Sequence, residues 1–290
     1  FRHDLLPERI DGRKIQPEDL ATLLQEDEVG CQTGAYRSGD GSVILWHTEE
    51  DYEKEPGQRF DKLRLFTFQG AEGRLGTGFI YPDLLPGPTC GWQEQHYAQA
   101  IDTLHVRSLE MENAILPNTL AWLSLYIGGK VPRVDLARQL GPFQGGYSLT
   151  SVHMDRGNIQ VEKVEFANRQ VHHSQLGENK GEHFYQTNVI RDRNLPIYAE
   201  EHTSSESRSY CEGRMTRTSR LVKKIHTAEQ PRQAVLHMLS SQSGGEAAYA
   251  NRDVKAYMVH HMSAEKTSIA VGAGARLKGD EVVEFHIHDQ

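Results

Sequence analysis

The chain has 290 residues, 37% hydrophobic and 25% charged, the composition of a soluble globular protein with enough apolar chain for a sizeable core. Its formal charge of −8 is carried by intermixed acidic and basic residues with no basic stripe, which argues against a nucleic-acid partner. No apolar run approaches the roughly 18–20 residues of a membrane-spanning helix, so no membrane partner is expected either.

The opening Phe1-Arg2-His3-Asp4 lacks the pattern of a secretory signal, and a cytoplasmic location is the expectation, although a start without Met leaves a trimmed leader open. Residues 1–30 are polar and rich in Asp, Glu and Arg. They hold one helix candidate over 17–25, where Pro17 takes an early helical position and Leu20, Leu23 and Leu24 form an apolar face. The segment breaks at Glu26-Asp27-Glu28-Val29-Gly30.

From Cys31 the pattern turns to strands. Residues 31–37 and 42–47 flank Ser38-Gly39-Asp40-Gly41, a hairpin-like turn signal. Strands are predicted next over 62–69 and 76–81, then helices over 118–126 and 134–140. Strands over 146–154 and 159–166 follow, joined by Asp155-Arg156-Gly157-Asn158. A long helix is predicted over 206–225 with Ser205 as its cap, and another over 231–239. The chain returns to strands over 255–260, 267–271 and 282–286. Strands, then helices, then strands predict α+β layers rather than alternating βαβ units. With no internal repeat and no low-complexity linker, the expected organisation is a leader-like segment, 1–30, and one domain, 31–290.

Cys31, Cys90 and Cys211 cannot all pair with one another and show no CxxC spacing, so neither a disulfide framework nor a zinc ribbon is indicated. Buried free thiols are usually inert, and this account serves two of the three. Cys31 is the exception. A thiol at a chain start can use its own α-amino group as base, whose ordinary pKa of ~7.7–8 suits proton transfer near neutrality. Cys31 opens a predicted strand, which would hold it rigidly. It follows Gly30, whose lack of a side chain permits the strained carbonyl geometry that attack by an adjacent thiol requires. The segment before it reads as separable.

Further residues extend the pattern. Gly30-Cys31-Gln32-Thr33-Gly34-Ala35-Tyr36, then Asp40-Gly41-Ser42-Val43, then His47-Thr48-Glu49-Glu50-Asp51 follow in order. Tyr81-Pro82-Asp83-Leu84-Leu85-Pro86-Gly87 leads into Gly91-Trp92-Gln93. Tyr185-Gln186-Thr187-Asn188 and Lys266-Thr267-Ser268 complete the set. Together these resemble the acyl-coenzyme A:isopenicillin N acyltransferase family, self-processing cysteine Ntn hydrolases related to choloylglycine hydrolase, over most of the chain from Gly30 onward. The resemblance implies an αββα sandwich, autocatalytic cleavage between Gly30 and Cys31, and Cys31 as nucleophile with its freed amine as base. It implies a small-molecule substrate with a linear amide, acted on by hydrolysis or acyl transfer, and no cofactor. Asn188 is then the leading oxyanion donor. Gln93, where relatives often carry Asn, is a possible second one. Relatives hold the Cys amine with a carboxylate in the fourth position of a segment that starts here at His47. That position is Glu50, with Asp51 one step on; strand alternation lets only one of the two serve, and Glu50 is preferred. Thr48 stands where Asn is usual. The departures at Thr48 and Gln93 keep a second hypothesis open, an unprocessed binding protein of the same fold.

Other constellations carry less. Of 15 histidines, the neighbouring pairs His172-His173 and His260-His261 would point to opposite faces of a strand, and His286 with His288 lacks a third ligand, so no metal site is expected. A papain-type Cys–His pair would place its Cys at a helix start, whereas Cys31 heads a strand-like run. Gly39-Asp40-Gly41 and Gly272-Ala273-Gly274 lack the Lys-Ser/Thr of a phosphate loop. Arg37 is expected at a solvent-facing strand end. Arg208, Arg214, Arg217 and Arg220 are expected to form a solvated helix face, with an acidic substrate group or coenzyme A phosphates as the alternative.

Overall fold

The computed structural model describes residues 9–10, 13–14, 30–51, 64–80, 89–94, 96–107, 113–240, 253–264, 267–273 and 283–287. The helix expected over 17–25 and the stretch 81–88 lie outside these. Two short strands, β1 (Arg9–Ile10) and β2 (Arg13–Lys14), pair with each other. The other described residues form two larger antiparallel sheets, four α-helices and two short 3-10 turns, the α+β class expected.

The first hairpin sets the frame. β3 (Gly30–Arg37) and β4 (Val43–Asp51) pair antiparallel around a turn in which Ser38 N–H donates to Ser42 O, Gly41 adopts φ +82° and Asp40 Oδ1 accepts from Ser42 N and Oγ. The left-handed angle explains the glycine. The register matches Arg37 with Val43, Ala35 with Leu45, Thr33 with His47 and Cys31 with Glu49, so these eight side chains share one face. On the other face the Trp46 indole lies over Gly34, where an added Cβ would come within 1.9 Å of the ring.

A six-stranded sheet grows on this hairpin: β12 (His183–Gln186), β3, β4, β13 (Asp253–Met262), β14 (Thr267–Ala273) and β15 (Val283–Ile287), in that order. The second sheet is a meander of neighbours, β5 (Arg64–Gln69), β6 (Leu75–Ile80), β7 (Cys90–Gln93), β8 (Tyr97–Thr103), β9 (Gly146–Asp155), β10 (Asn158–Ala167) and β11 (Gln170–Gln175). β9 and β10 join through Arg156 and Gly157, both at positive φ, as a two-residue hairpin turn requires.

The sheets meet over an apolar core that includes Ala35, Leu45, Phe79, Trp92, Ala98, Val152, Val161 and Met258. On the outer face of the six-stranded sheet, Tyr36, Ile44 and Trp46 pack against Leu221, Val222 and Ile225 of α3 (Ser205–Thr227) and Val235 and Met238 of α4 (Pro231–Ser240). On the outer face of the other, Ile101, Leu149 and Val164 pack against Leu120 and Ala121 of α1 (Pro117–Ile127) and Val134 and Ala137 of α2 (Arg133–Leu140). Each fully buried aliphatic side chain in these seams contributes ~1.5–3 kcal/mol relative to exposure.

Within the two larger sheets four described strands escape the sequence reading, β7, β8, β11 and β12, and so do the short β1 and β2. The case of β8 has a clear cause. Six of its seven residues, Tyr97 to Asp102, are buried, so the strand lies covered on both faces and lacks the apolar–polar alternation that marks a half-buried one. Two smaller expectations are corrected. The cap of α3 is Ser204, whose side chain accepts from Ser207 N–H, rather than Ser205. Arg37 is not solvent-facing: it is 6% exposed, and its guanidinium donates to the Gly177, Gly41 and Ile159 carbonyls.

Candidate active site

At one end of the inter-sheet space β3 begins while β4, β8 and β12 end. Antiparallel pairing therefore brings Cys31, Glu49, Thr103 and the loop after Gln186 to one place. The strand ladder runs through both Gly30 and Cys31, so in this structure the Cys31 nitrogen is a peptide amide.

Cys31 and Asn188 contact each other twice. Cys31 N–H donates to Asn188 Oδ1 at 3.3 Å, and Asn188 Nδ2 donates to Cys31 Sγ at 3.2 Å and to Thr103 O at 3.0 Å. The Asn188 backbone is fixed as well, since its carbonyl accepts from His105 N–H. The turn that presents it is held by Gln186, whose Nε2 donates to Thr187 O and Val189 O. Gln186 Oε1 in turn accepts from the buried Lys163, which pairs with Glu165 at 3.1 Å. Sequence reasoning missed Lys163, Glu165 and the role of Gln186. A Lys and a Glu two residues apart on a strand read as solvent-facing until the strand's partner layer is known.

Arg214 is the larger correction. Rather than joining a solvated helix face, it is fully buried and donates through Nη1 to Asn188 Oδ1 at 3.1 Å and through Nη2 to Cys31 O at 2.5 Å. α3 docks on β3 there, aided by a bond from Gln32 Nε2 to Thr218 Oγ1. The signal existed in sequence: Cys211, Arg214, Thr218, Leu221, Val222 and Ile225 recur at helical spacing, and all six are buried. Arg208 is different; it pairs with Glu201 and Glu212 away from Cys31.

Glu50 pairs with Gly30 in the ladder and Asp51 with Asp253; the side chains of Glu50 and Asp51 lie outside the described residues. The carboxylate on the Cys31 face is that of Glu49, which is buried and accepts from or pairs with His47 Nε2 at 2.8 Å. His47 Nδ1 is 2.9 Å from Thr33 Oγ1. His47 thus belongs to the site, linking Glu49 to Thr33.

Asp102, unremarked in the sequence, projects from β8 on the face shared with Ala98 and Ala100, toward the space between the sheets. It is fully buried, with the Cys31 thiol and the Thr33 hydroxyl as its hydrogen-bonding neighbours. Burial raises its pKa to about 7, against the opposing pull of His47, the Thr33 hydroxyl, Arg214 and the Cys31 thiol. The Cys31 thiol is held well above its usual range, first by burial and then by the charges of Asp102 and Glu49; Arg214 and the Thr103 backbone act the other way. The resting group is a thiol, only 4% exposed.

Gln93 does not join this site. Its Nε2 donates to Leu125 O and Tyr126 O at the end of α1, on the outer side of the seven-stranded sheet. A side chain there cannot reach a carbonyl beside Cys31, so Gln93 is corrected to a residue that closes the end of α1. Among the described residues no group of three His, Cys, Asp or Glu side chains is disposed to hold a metal ion, and no helix is long and apolar enough to cross a membrane. The described cysteines, Cys31, Cys90 and Cys211, form no disulfide with one another, and all three are buried.

No protein-family model matches the chain, and no curated protein matches it. Among solved structures, a variant of conjugated bile acid hydrolase from Clostridium perfringens is similar, with a TM-score of 0.50 and 10% identity over 88% of this chain and 92% of its own. At that identity the likeness shows the fold alone, two antiparallel sheets with helices outside them.

Proposed function

We propose that this chain is a cysteine Ntn amidohydrolase or acyltransferase that cleaves its own Gly30–Cys31 bond and then acts on a linear amide of a small N-acyl compound. The helix pairs outside the two sheets would then be the outer layers of an αββα sandwich, with residues 1–30 as a leader and 31–290 as the catalytic domain. The observation that carries the reading is the mutual contact of Cys31 and Asn188: amide to Oδ1 at 3.3 Å, Nδ2 to Sγ at 3.2 Å. A carbonyl attacked by this sulfur would develop its oxyanion within reach of the Asn188 amide, the kind of donor whose loss typically costs ~10²–10³ in rate.

Once freed, the Cys31 amine would stand where its amide now meets Asn188 Oδ1, and Arg214 on the Cys31 carbonyl would hold the residue's backbone in place. Cys31 attacks the substrate carbonyl and its amine protonates the leaving amine. Water or an acceptor amine then removes the acyl group from sulfur. The solved neighbour, a hydrolase of conjugated bile acid, supports a hydrolytic reaction of this kind without fixing the acyl group.

The test is a panel of N-acyl amino acids and N-acyl amines offered to wild type and Cys31→Ala. Wild type is expected to release amine and to carry a transient acyl adduct on Cys31 by mass spectrometry, and Cys31→Ala neither. The second reading, a binding protein, draws on the low exposure and raised pKa of Cys31. Ligand affinity retained in Cys31→Ala, with no turnover by wild type, would favour it.

A further inference from the structure

Resting on the reading that Cys31 cuts the Gly30–Cys31 bond, we propose that Asp102 is the base that takes the Cys31 thiol proton in that self-cleaving step. The amine that serves later does not exist in the uncut chain, where the Cys31 nitrogen is an amide whose hydrogen goes to Asn188 Oδ1. Burial has meanwhile made the thiol harder to ionise, so a base is needed.

The neighbouring groups narrow the choice. From β4, Glu49 Oε1 is tied to His47 Nε2, and the other ring nitrogen of His47 meets Thr33 Oγ1. From α3, Arg214 is a cation donating to Cys31 O and Asn188 Oδ1. From β9, the Tyr147 phenol is held above its usual range by burial. Glu165, opposite Ser148 on β10 and two strands from Asp102, pairs with Lys163. Asp102 differs from all of these. It is wholly buried, and the Cys31 thiol and the Thr33 hydroxyl are its hydrogen-bonding neighbours, so the S–H proton already faces its carboxylate. A pKa of about 7 also makes it a stronger base than an ordinary carboxylate, matched to neutral conditions.

The step balances within the chain. The Asp102 carboxylate removes the S–H proton, and the sulfur lone pair forms a bond to the Gly30 carbonyl carbon. The carbonyl π pair moves to oxygen, giving an oxyanion for Asn188 Nδ2 to meet. As C=O reforms, the Gly30–Cys31 C–N bond breaks, and its electron pair stays on nitrogen, which takes the proton back from Asp102. The products are a thioester from Gly30 to Cys31 Sγ and a free Cys31 amine; water then hydrolyses the thioester and Asp102 is ionised again.

The test compares wild type, Asp102→Asn and Asp102→Glu in the full chain from pH 5 to 9, with two readouts. One is self-cleavage by intact mass. The other is the alkylation rate of Cys31 by iodoacetamide, with the buried Cys90 and Cys211 as internal references. A base predicts that Asp102→Asn slows both by ~10²-fold or more and removes the inflection near neutrality. A purely electrostatic neighbour predicts the opposite sign, because deleting a negative charge beside a thiol eases its ionisation and speeds alkylation; that result overturns the proposal. Wild type that never cuts, with alkylation still slowed by Asp102→Asn, would sink the cleavage reading and leave the base standing. Wild type and Asp102→Asn cutting equally fast would do the reverse. If circular dichroism shows Asp102→Asn unfolded, Asp102→Glu decides: a displaced inflection supports the base, and an unchanged profile refutes it.

Discussion

Leu45 and His47 are two residues apart on one face of the same strand, yet they belong to different worlds. Leu45 packs with Phe79, Trp92, Val152 and Met258 in dry contact between the sheets. His47 joins Thr33 and Glu49 in a buried polar chain that ends beside Asp102 and Cys31. Backbone geometry is shared; only side-chain identity changes along the ladder. Apolar packing supplies stability in proportion to area. The polar end carries a carboxylate whose burial opposes folding near neutral pH, beside a thiol that burial keeps protonated. One half of the interior therefore holds the other in a state it would not choose alone.

Four measurements sharpen or break this contrast. Leu45→Ala should lose about 2–5 kcal/mol in urea unfolding, through lost transfer energy and a cavity, while self-cleavage per folded molecule stays unchanged. A large change in cleavage would mean that the two regions are not separable.

Asp102 should reveal itself in the pH dependence of stability. Its folded pKa of about 7 lies above the ordinary 3.8, so between those values the native state holds a proton that the unfolded chain has released. Below about pH 4 both states are protonated and the group has no effect; stability then falls as pH rises toward 7. Relative to Asp102→Asn, wild type should lose up to about 4 kcal/mol across that range, at ~1.4 kcal/mol per pH unit. A difference flat from pH 4 to 7 would show that Asp102 is not held protonated by burial.

Asn188→Ala should slow self-cleavage by ~10²–10³ with a smaller effect on stability. Gln93→Ala should do the converse, losing about 1–2 kcal/mol from its two bonds to the end of α1 and leaving cleavage unchanged. Equal cleavage by Asn188→Ala and wild type would remove the oxyanion role from Asn188.

The sequence made some of this legible and hid the rest for physical reasons. The turn at Ser38–Gly41 fixes the register of the hairpin, and counting down from it puts Glu49 opposite Cys31, a step the sequence makes available. Arg214 was also available, because it lies in the buried stripe of α3 among Cys211, Thr218 and Leu221. Asp102 was not. It sits on a strand buried on both faces, flanked by Ala98, Ala100 and Ile101, where neither alternation nor spacing singles out a carboxylate. Lys163 and Glu165 share that limit, since an ion pair inside a sandwich has the same local pattern as one on its surface. Short strands such as β12 depend on the partner they pair with, and pairing is a property of the fold rather than of four residues.

The most direct test of the account is the intact mass of the purified full chain beside that of Cys31→Ala, followed over days near neutral pH. Two species, one holding residues 1–30 and one beginning at Cys31, with Cys31→Ala uncut, are the result expected of a self-processing cysteine hydrolase. Both proteins remaining at full-length mass would contradict it, leave Cys31 without a free amine, and move the binding-protein reading ahead.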